Sequence, residues 1–177
     1  MNTEELIQQK NDEYRAYIDE HRANIVKATN NMSNNKACCE LIRSRLSDPA
    51  NLDLYFNNIK ETHDLSKYEY YEFDAYRKKY YPISEQEKKE VEDSGEYDRA
   101  EMHHYLSNPH HWNYWVLNNS VNQMSILAVV EMVIDWISMS IKFNSKATDW
   151  YNKNKSEIVL GDWQREFVEK LLNVYYK

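Results

Sequence analysis

Apolar residues recur at three- and four-residue steps along most of the chain, which is the spacing of one face of an α-helix. From Asn2 to about Asn30 this spacing predicts a long first helix. His21 falls on the apolar stripe of this helix together with Ile18 and Ile25, so its side chain is predicted to point inward.

The same reading predicts further helices over most of the remaining chain. They are expected over residues 34–46, 52–61, 68–81, from 84 to about 92, and over 123–143, 146–158 and 162–176. Another contains Ala100, His103 and His104 and ends near residues 108–109, and a loop or short helix follows at 110–115. Two pairs have the spacing of a helix N-cap with its partner, Asn2 with Glu5 and Ser84 with Glu87. With no convincing strand, the sequence predicts an all-α fold, a single irregular bundle of about seven or eight helices in one domain, residues 1–177.

Composition narrows the range of functions. The chain has 177 residues with 42% hydrophobic content, enough to bury a core. Its 2 glycines are too few for a glycine-rich phosphate loop. The formal charge of −7 disfavours duplex nucleic acid as a partner. A small anionic substrate stays compatible with this charge, because a bound cation would reverse the local field.

The chain is predicted to be cytoplasmic and not to enter a membrane. Its longest apolar run, Ile126 to Ile137, is 12 residues long and contains two carboxylates, whereas a spanning helix needs about 20. The beginning of the chain is polar and charged, unlike a signal peptide. The adjacent Cys38 and Cys39 are expected to stay reduced, since neighbouring cysteines rarely form a relaxed disulfide.

Four features could carry chemistry, and each also has a purely structural interpretation. Histidine is the usual nitrogen ligand of first-row metals, and a carboxylate on an apolar helix needs a cation or strong hydrogen bonds. The features are His21 on its apolar stripe; the pair His63-Asp64 at a predicted helix end; the cluster His103, His104, His110 and His111; and Asp135, with Glu131 one turn earlier, on the most hydrophobic helix.

The order of these residues resembles the HD-domain superfamily of metal-dependent phosphohydrolases. Its members bind metal through a histidine on an early helix, a His-Asp pair and a later aspartate in a hydrophobic helix. Members with several metals add histidines between the pair and that aspartate. The residues that match are His21, His63, Asp64 and Asp135, with His104, His110 and His111 between them.

Residues 63–67, His-Asp-Leu-Ser-Lys, are similar to the H-D-x-G-K motif of that superfamily, with Ser66 in place of glycine. The resemblance implies that Lys67 meets substrate phosphate. The chain resembles more closely a small uncharacterised family of phage and bacterial proteins. The motifs that carry this resemblance are H-D-L-S-K-[FY] at residues 63–68, E-F-x-x-Y at 72–76, N-P-H-H-W-x-Y-W at 108–115 and E-M-x-x-D-W at 131–136.

The resemblance implies an HD-like metal-dependent phosphohydrolase that acts on a small phosphorylated molecule such as a nucleotide. One or two divalent transition metals per chain are expected, with Mn, Fe, Co, Ni and Zn not distinguished. The expected ligands are His21, His63, Asp64, His104, His111 and Asp135, with His110 as a substitute. The expected catalytic residues are Lys67 for phosphoryl charge and Glu131 or His110 for proton transfer.

Two alternatives stay open at this point. The same ligand series suits an HD-type di-iron oxygenase. It also suits a non-catalytic, metal-containing protein that binds a protein partner, in a host cytoplasm if the protein is phage-encoded. The sequence does not determine the substrate or the oligomeric state.

Overall fold

The computed structural model describes residues 2–177, and α-helices together with short 3-10 helices at 49–51, 65–68 and 121–123 make up 78% of the structure, with no strand in the described part of the chain. The predicted all-α class is therefore confirmed. The helices are α1 (Thr3–Asn34), α2 (Lys36–Arg43), α3 (Leu52–Thr62), α4 (Tyr70–Tyr80), α5 (Glu85–Asp93), α6 (Glu96–Ser107), α7 (Trp112–Leu117), α8 (Ile126–Lys142), α9 (Ala147–Asn154) and α10 (Asp162–Tyr175).

These ten α-helices within residues 2–177 exceed the predicted seven or eight. Nine of them lie in segments predicted to be helical, and the tenth, α7, has six residues, which is too short for a strong periodic signal. The first helix also continues to Asn34, beyond its predicted end near Asn30, because Met32 is fully buried in the core. In contrast, α2 ends at Arg43, three residues before the predicted end of that segment.

Both predicted capping pairs are present. The Asn2 side chain accepts the Glu5 N–H at 2.8 Å, and the Glu5 carboxylate accepts the Asn2 N–H at 2.9 Å. The Ser84 hydroxyl accepts the Glu87 N–H at 3.1 Å, whereas the Glu87 carboxylate accepts the N–H of Ile83 at 2.8 Å. These contacts satisfy N–H groups that have no partner within their helix.

The described residues group into two compact units. Unit 1 consists of residues 2–20 and Asp64–Asn108, and unit 2 consists of His21–His63 and Pro109–Lys177. Unit 1 contains the beginning of α1 together with α4, α5 and α6, and unit 2 contains the remainder of α1 and the other helices. The assignment of one domain to residues 1–177 stays a prediction.

The core of unit 2 is built around α8. This helix buries residues on most of its circumference, among them Val129, Val133 and Ile134, and it packs against α9 and α10. Burying one such side chain contributes about 1.5–3 kcal/mol. Glu131 and Asp135 lie one turn apart on the same helix, with 17% and 16% of their side chains exposed.

The core of unit 1 is smaller and more aromatic. Tyr14, Ile18 and Phe73 form one buried cluster, and Ala75 on α4 belongs to a second one that also includes residues of α5 and α6. The buried Arg77 on α4 forms an ion pair of 2.6 Å with a carboxylate at the start of α5. None of the helices in residues 2–177 combines the length and apolar content needed to cross a membrane.

Candidate metal centre

Four of the predicted site residues come together in unit 2. The His21 Nε2 atom lies 3.5 Å from Asp135 Oδ1, and the His63 Nε2 atom lies 3.8 Å from the same oxygen. The ring of His110 stacks on that of His63 with 4.3 Å between the centroids. All three imidazoles are buried, with at most 4% of their surface exposed.

Each member of this group comes from a different part of unit 2. His21 lies within α1, His63 follows the last residue of α3, His110 lies in the turn before α7, and Asp135 lies on α8. The guanidinium group of Arg22 donates to the carbonyl oxygens of Glu61, at 2.8 Å, and His63. Arg22 therefore satisfies carbonyl groups at the C-terminal end of α3, where His63 leaves the helix.

Glu131 contacts the Nδ1 atoms of two of these imidazoles, those of His63 and His110. Its Oε1 atom accepts a hydrogen bond from His63 Nδ1 at 3.0 Å and lies 3.4 Å from His110 Nδ1. Its Oε2 atom accepts the hydroxyl of Tyr55 at 3.1 Å. Burial by itself would raise the pKa of Glu131, but the contacts with His110 and His63 outweigh it and lower that pKa to about 2. A carboxylate at Nδ1 fixes the ring orientation and leaves Nε2 as the ligand atom.

The donor set of unit 2 fits a divalent transition metal. His63, His110 and Asp135 each offer one ligand atom, and these atoms lie within 4.8 Å of one another. The Oδ1 atom of Asp135 is buried and accepts no hydrogen bond from residues 2–177, although His21 Nε2 lies within ion-pair distance. Mixed imidazole and carboxylate donors suit Mn, Fe, Co, Ni or Zn and do not select among them.

A second group of predicted residues lies in unit 1. The Lys67 ammonium donates to Asp64 Oδ2 at 2.6 Å, and His104 Nε2 lies 3.7 Å from Asp64 Oδ1. Asp64 has a left-handed backbone with φ 54° and ψ 28°. Aspartate tolerates this conformation better than most residues, but it still costs about 1 kcal/mol or more. Such strain in a buried residue is common at functional sites.

The carboxylate of Glu72 organises the group in unit 1. It is fully buried and accepts hydrogen bonds from His104 Nδ1 at 3.1 Å, from Ser66 Oγ at 3.0 Å and from His103 Nδ1 at 2.7 Å. Burial opposes the negative charge, but the bonds with the histidines outweigh it and lower the pKa of Glu72. The amide of Asn108 donates to Ser66 Oγ at 2.9 Å. Glu72 therefore holds His104 as Glu131 holds His63.

The remaining histidines differ in their surroundings. His111 is half-buried at the N-cap of α7, with its ring 4.2 Å from that of His110. His104 is buried, whereas 41% of the side chain of His103 is exposed. The ligand and catalytic roles assigned to the individual residues stay predictions.

Sequence patterns did not single out Glu72, Tyr55 or Arg22 as part of a site. In the sequence, Glu72 is an acidic residue in a tyrosine-rich segment. It begins the E-F-x-x-Y motif at residues 72–76, but that motif does not indicate a role for it. Tyr55 and Arg22 looked like an ordinary helix aromatic and a surface cation. Their function depends on contacts with residues 39 to 76 positions away along the chain.

Comparison with known proteins gives one family. No curated protein matches the chain, and no solved structure matches it. Residues 10–174, nearly the whole chain, match the model described as "Family of unknown function (DUF5662)". The protein therefore belongs to this family of unknown function, DUF5662.

Proposed function

We propose that the protein is a metal-dependent phosphohydrolase that acts on a small phosphorylated molecule. The observation that carries the proposal is the group of three buried imidazoles around Asp135, with Glu131 bonded to the far side of His63. A purely structural core would not need several histidines and carboxylates in one place, because each buried polar group must be compensated.

In this proposal His21, His63, His110 and Asp135 hold the metal. A bound divalent metal would lower the pKa of a coordinated water and so supply a nucleophile near neutral pH. Glu131 keeps the Nδ1 protons of His63 and His110 engaged, which leaves their Nε2 lone pairs for the metal. Glu131 is thus a positioning residue, and proton transfer by it would compete with this task.

The residue that the HD resemblance links to substrate, Lys67, lies in unit 1. Lys67 would balance negative charge on phosphoryl oxygens, as a point charge suited to phosphate. Its contact with Asp64 keeps its ammonium group in a defined position. The proposed ligand role of Asp64, His104 and His111 comes from the resemblance, and the 3.7 Å between His104 Nε2 and Asp64 Oδ1 supports it for those two residues.

The first experiment measures metal content and activity together. Protein purified without chelator is analysed for metals, then stripped and titrated with manganese, iron, cobalt, nickel and zinc. Each loaded form is assayed on a panel of small phosphate esters. We expect about one or two metals per chain and hydrolysis that depends on the metal.

The matched variants are Asp135→Asn in the site and Asp93→Asn on the exposed surface. Asp135→Asn should abolish hydrolysis and weaken metal binding, and Asp93→Asn should change neither. Stripped protein that takes up none of the five metals would refute the metal centre. Metal binding without phosphate release from any ester, or an iron-dependent absorption that changes with oxygen, would refute the hydrolase assignment.

A further inference from the structure

A pocket of about 470 Å³ lies within unit 1. Its volume is in the range of sites that bind small organic molecules. Five tyrosines and one lysine line it, namely Tyr14, Tyr17, Tyr76, Tyr80, Tyr81 and Lys67. Neither the sequence patterns nor the proposed metal chemistry accounts for this set of tyrosines.

The tyrosines form two aromatic groups. Tyr14, Tyr17 and Tyr81 are mutual neighbours, with ring centroids 5.7 to 6.3 Å apart. Tyr76 and Tyr80 form the second group, with centroids 6.0 Å apart. Aromatic side chains offer flat, polarisable surfaces that favour stacked or edge-on contact with another ring. The pocket therefore favours a ligand with a planar ring.

The hydroxyl groups add hydrogen-bonding capacity to these surfaces. Burial raises the pKa of Tyr14 above its ordinary value, so its phenol keeps its proton at physiological pH. A neutral phenol can donate a hydrogen bond to an acceptor such as a phosphate oxygen. The lining thus combines ring contact with donor groups.

Lys67 determines the sign of charge that the pocket accepts. Among the described residues that line the pocket, Lys67 is the one cation. Its side chain is 16% exposed. An ammonium group disfavours a cationic ligand, which a cage of tyrosines alone would attract. Asp64 pairs with Lys67 and limits the net positive charge. An anion that also gains ring contact with the tyrosines fits this lining better than a bare anion.

We infer that this pocket binds a small molecule that carries both a planar ring and a phosphate group, with the ring against the tyrosines and the phosphate beside Lys67. That this molecule is the substrate rests on the proposed function. The binding itself does not, because it requires no hydrolysis.

The test titrates wild-type protein with ligands that separate ring from charge, in the presence of a chelator. Phenylphosphonate carries ring and anion, and its C–P bond resists hydrolysis. Methylphosphonate carries only the anion, benzyl alcohol only the ring, and phenyltrimethylammonium the ring with the opposite charge. Phenylacetate replaces the phosphonate by a carboxylate. Dissociation constants come from calorimetry or from NMR shifts.

We expect phenylphosphonate to bind at least about tenfold more tightly than each of the other four ligands. No measurable binding of phenylphosphonate would overturn the inference, as would equal or tighter binding of any other ligand. Since hydrolysis is absent from this measurement, failure here leaves the proposed function standing. Failure of the hydrolase assay likewise leaves this binding result intact.

Three variants locate the binding. Tyr17→Ala removes one ring of the lining, Lys67→Met removes the charge but keeps the stem, and Tyr70→Ala alters a tyrosine outside the pocket that is 82% exposed. Lys67→Met should erase the preference for phenylphosphonate over benzyl alcohol, which a merely structural effect would not do. Tyr17→Ala should weaken phenylphosphonate binding about fivefold or more, and Tyr70→Ala should leave it unchanged. An unchanged preference in folded Lys67→Met protein would place the ligand elsewhere.

Discussion

Glu131 Oε1 accepts a hydrogen bond from His63 Nδ1 at 3.0 Å, while the Nε2 atom of the same ring lies 3.8 Å from Asp135 Oδ1. In unit 1, His104 repeats this arrangement, with Glu72 at its Nδ1 atom and Asp64 3.7 Å from its Nε2 atom. Each histidine thus has one nitrogen held by a glutamate and the other next to an aspartate. This is the pattern of an imidazole oriented to bind metal through Nε2.

Metal binding should stabilise the protein through Asp135. At a metal concentration of about 100 times the dissociation constant, we expect the free energy of unfolding to rise by about 2.7 kcal/mol. The Asp135→Asn variant should lose most of this increase, because a neutral amide is a weaker ligand than a carboxylate. Urea unfolding with and without metal measures the difference, and an equal metal effect in wild type and variant would contradict the assignment.

Replacing Glu131 should weaken metal binding without removing a ligand. We expect Glu131→Gln to raise the metal dissociation constant about 10- to 100-fold, because the amide holds His63 and His110 less firmly. Competition with a chromophoric chelator measures the constant. Glu131→Asp, which keeps the charge, should recover part of the affinity. An affinity equal to that of wild type in Glu131→Gln would show that the carboxylate does not act through the imidazoles.

The backbone of Asp64 should favour glycine over alanine. Asp64→Gly and Asp64→Ala both remove the carboxylate, so their difference in stability reports the cost of the left-handed conformation. We expect the glycine variant to be more stable by about 1 kcal/mol in urea unfolding. At Lys89, an exposed position in the interior of α5, the same pair should show the opposite order, because alanine favours a helix over glycine. A more stable alanine variant at both positions would contradict the left-handed backbone conformation of Asp64.

Removing the Glu72 carboxylate should destabilise the protein strongly. Glu72→Ala leaves the buried donors of Ser66 and His104 without their acceptor, and we expect a loss of about 3 kcal/mol. The exposed Glu69, three positions before Glu72 at the N-cap of α4, makes no side-chain capping bond, so Glu69→Ala should stay within about 0.5 kcal/mol of wild type. Thermal and urea unfolding compare the two variants, and similar losses would refute the role of Glu72.

Much of the helical structure could be predicted from the sequence because helix formation is governed by local spacing. The apolar stripe that includes His21 and the capping pair of Ser84 with Glu87 follow from residues within a few positions of each other. Short helices such as α7 were less predictable, because six residues carry too little periodic signal.

The candidate site could be predicted only as a set of residue types in order along the chain. Histidines, aspartates and their spacing on helices were visible in the sequence, and so was the resemblance they carry. What only the tertiary structure decided is which nitrogen of each histidine meets which carboxylate, that Glu72 is buried beneath His104, and that tyrosines distant in sequence line one pocket with Lys67. These relationships join residues tens of positions apart, and packing, which has no local sequence signal, sets them.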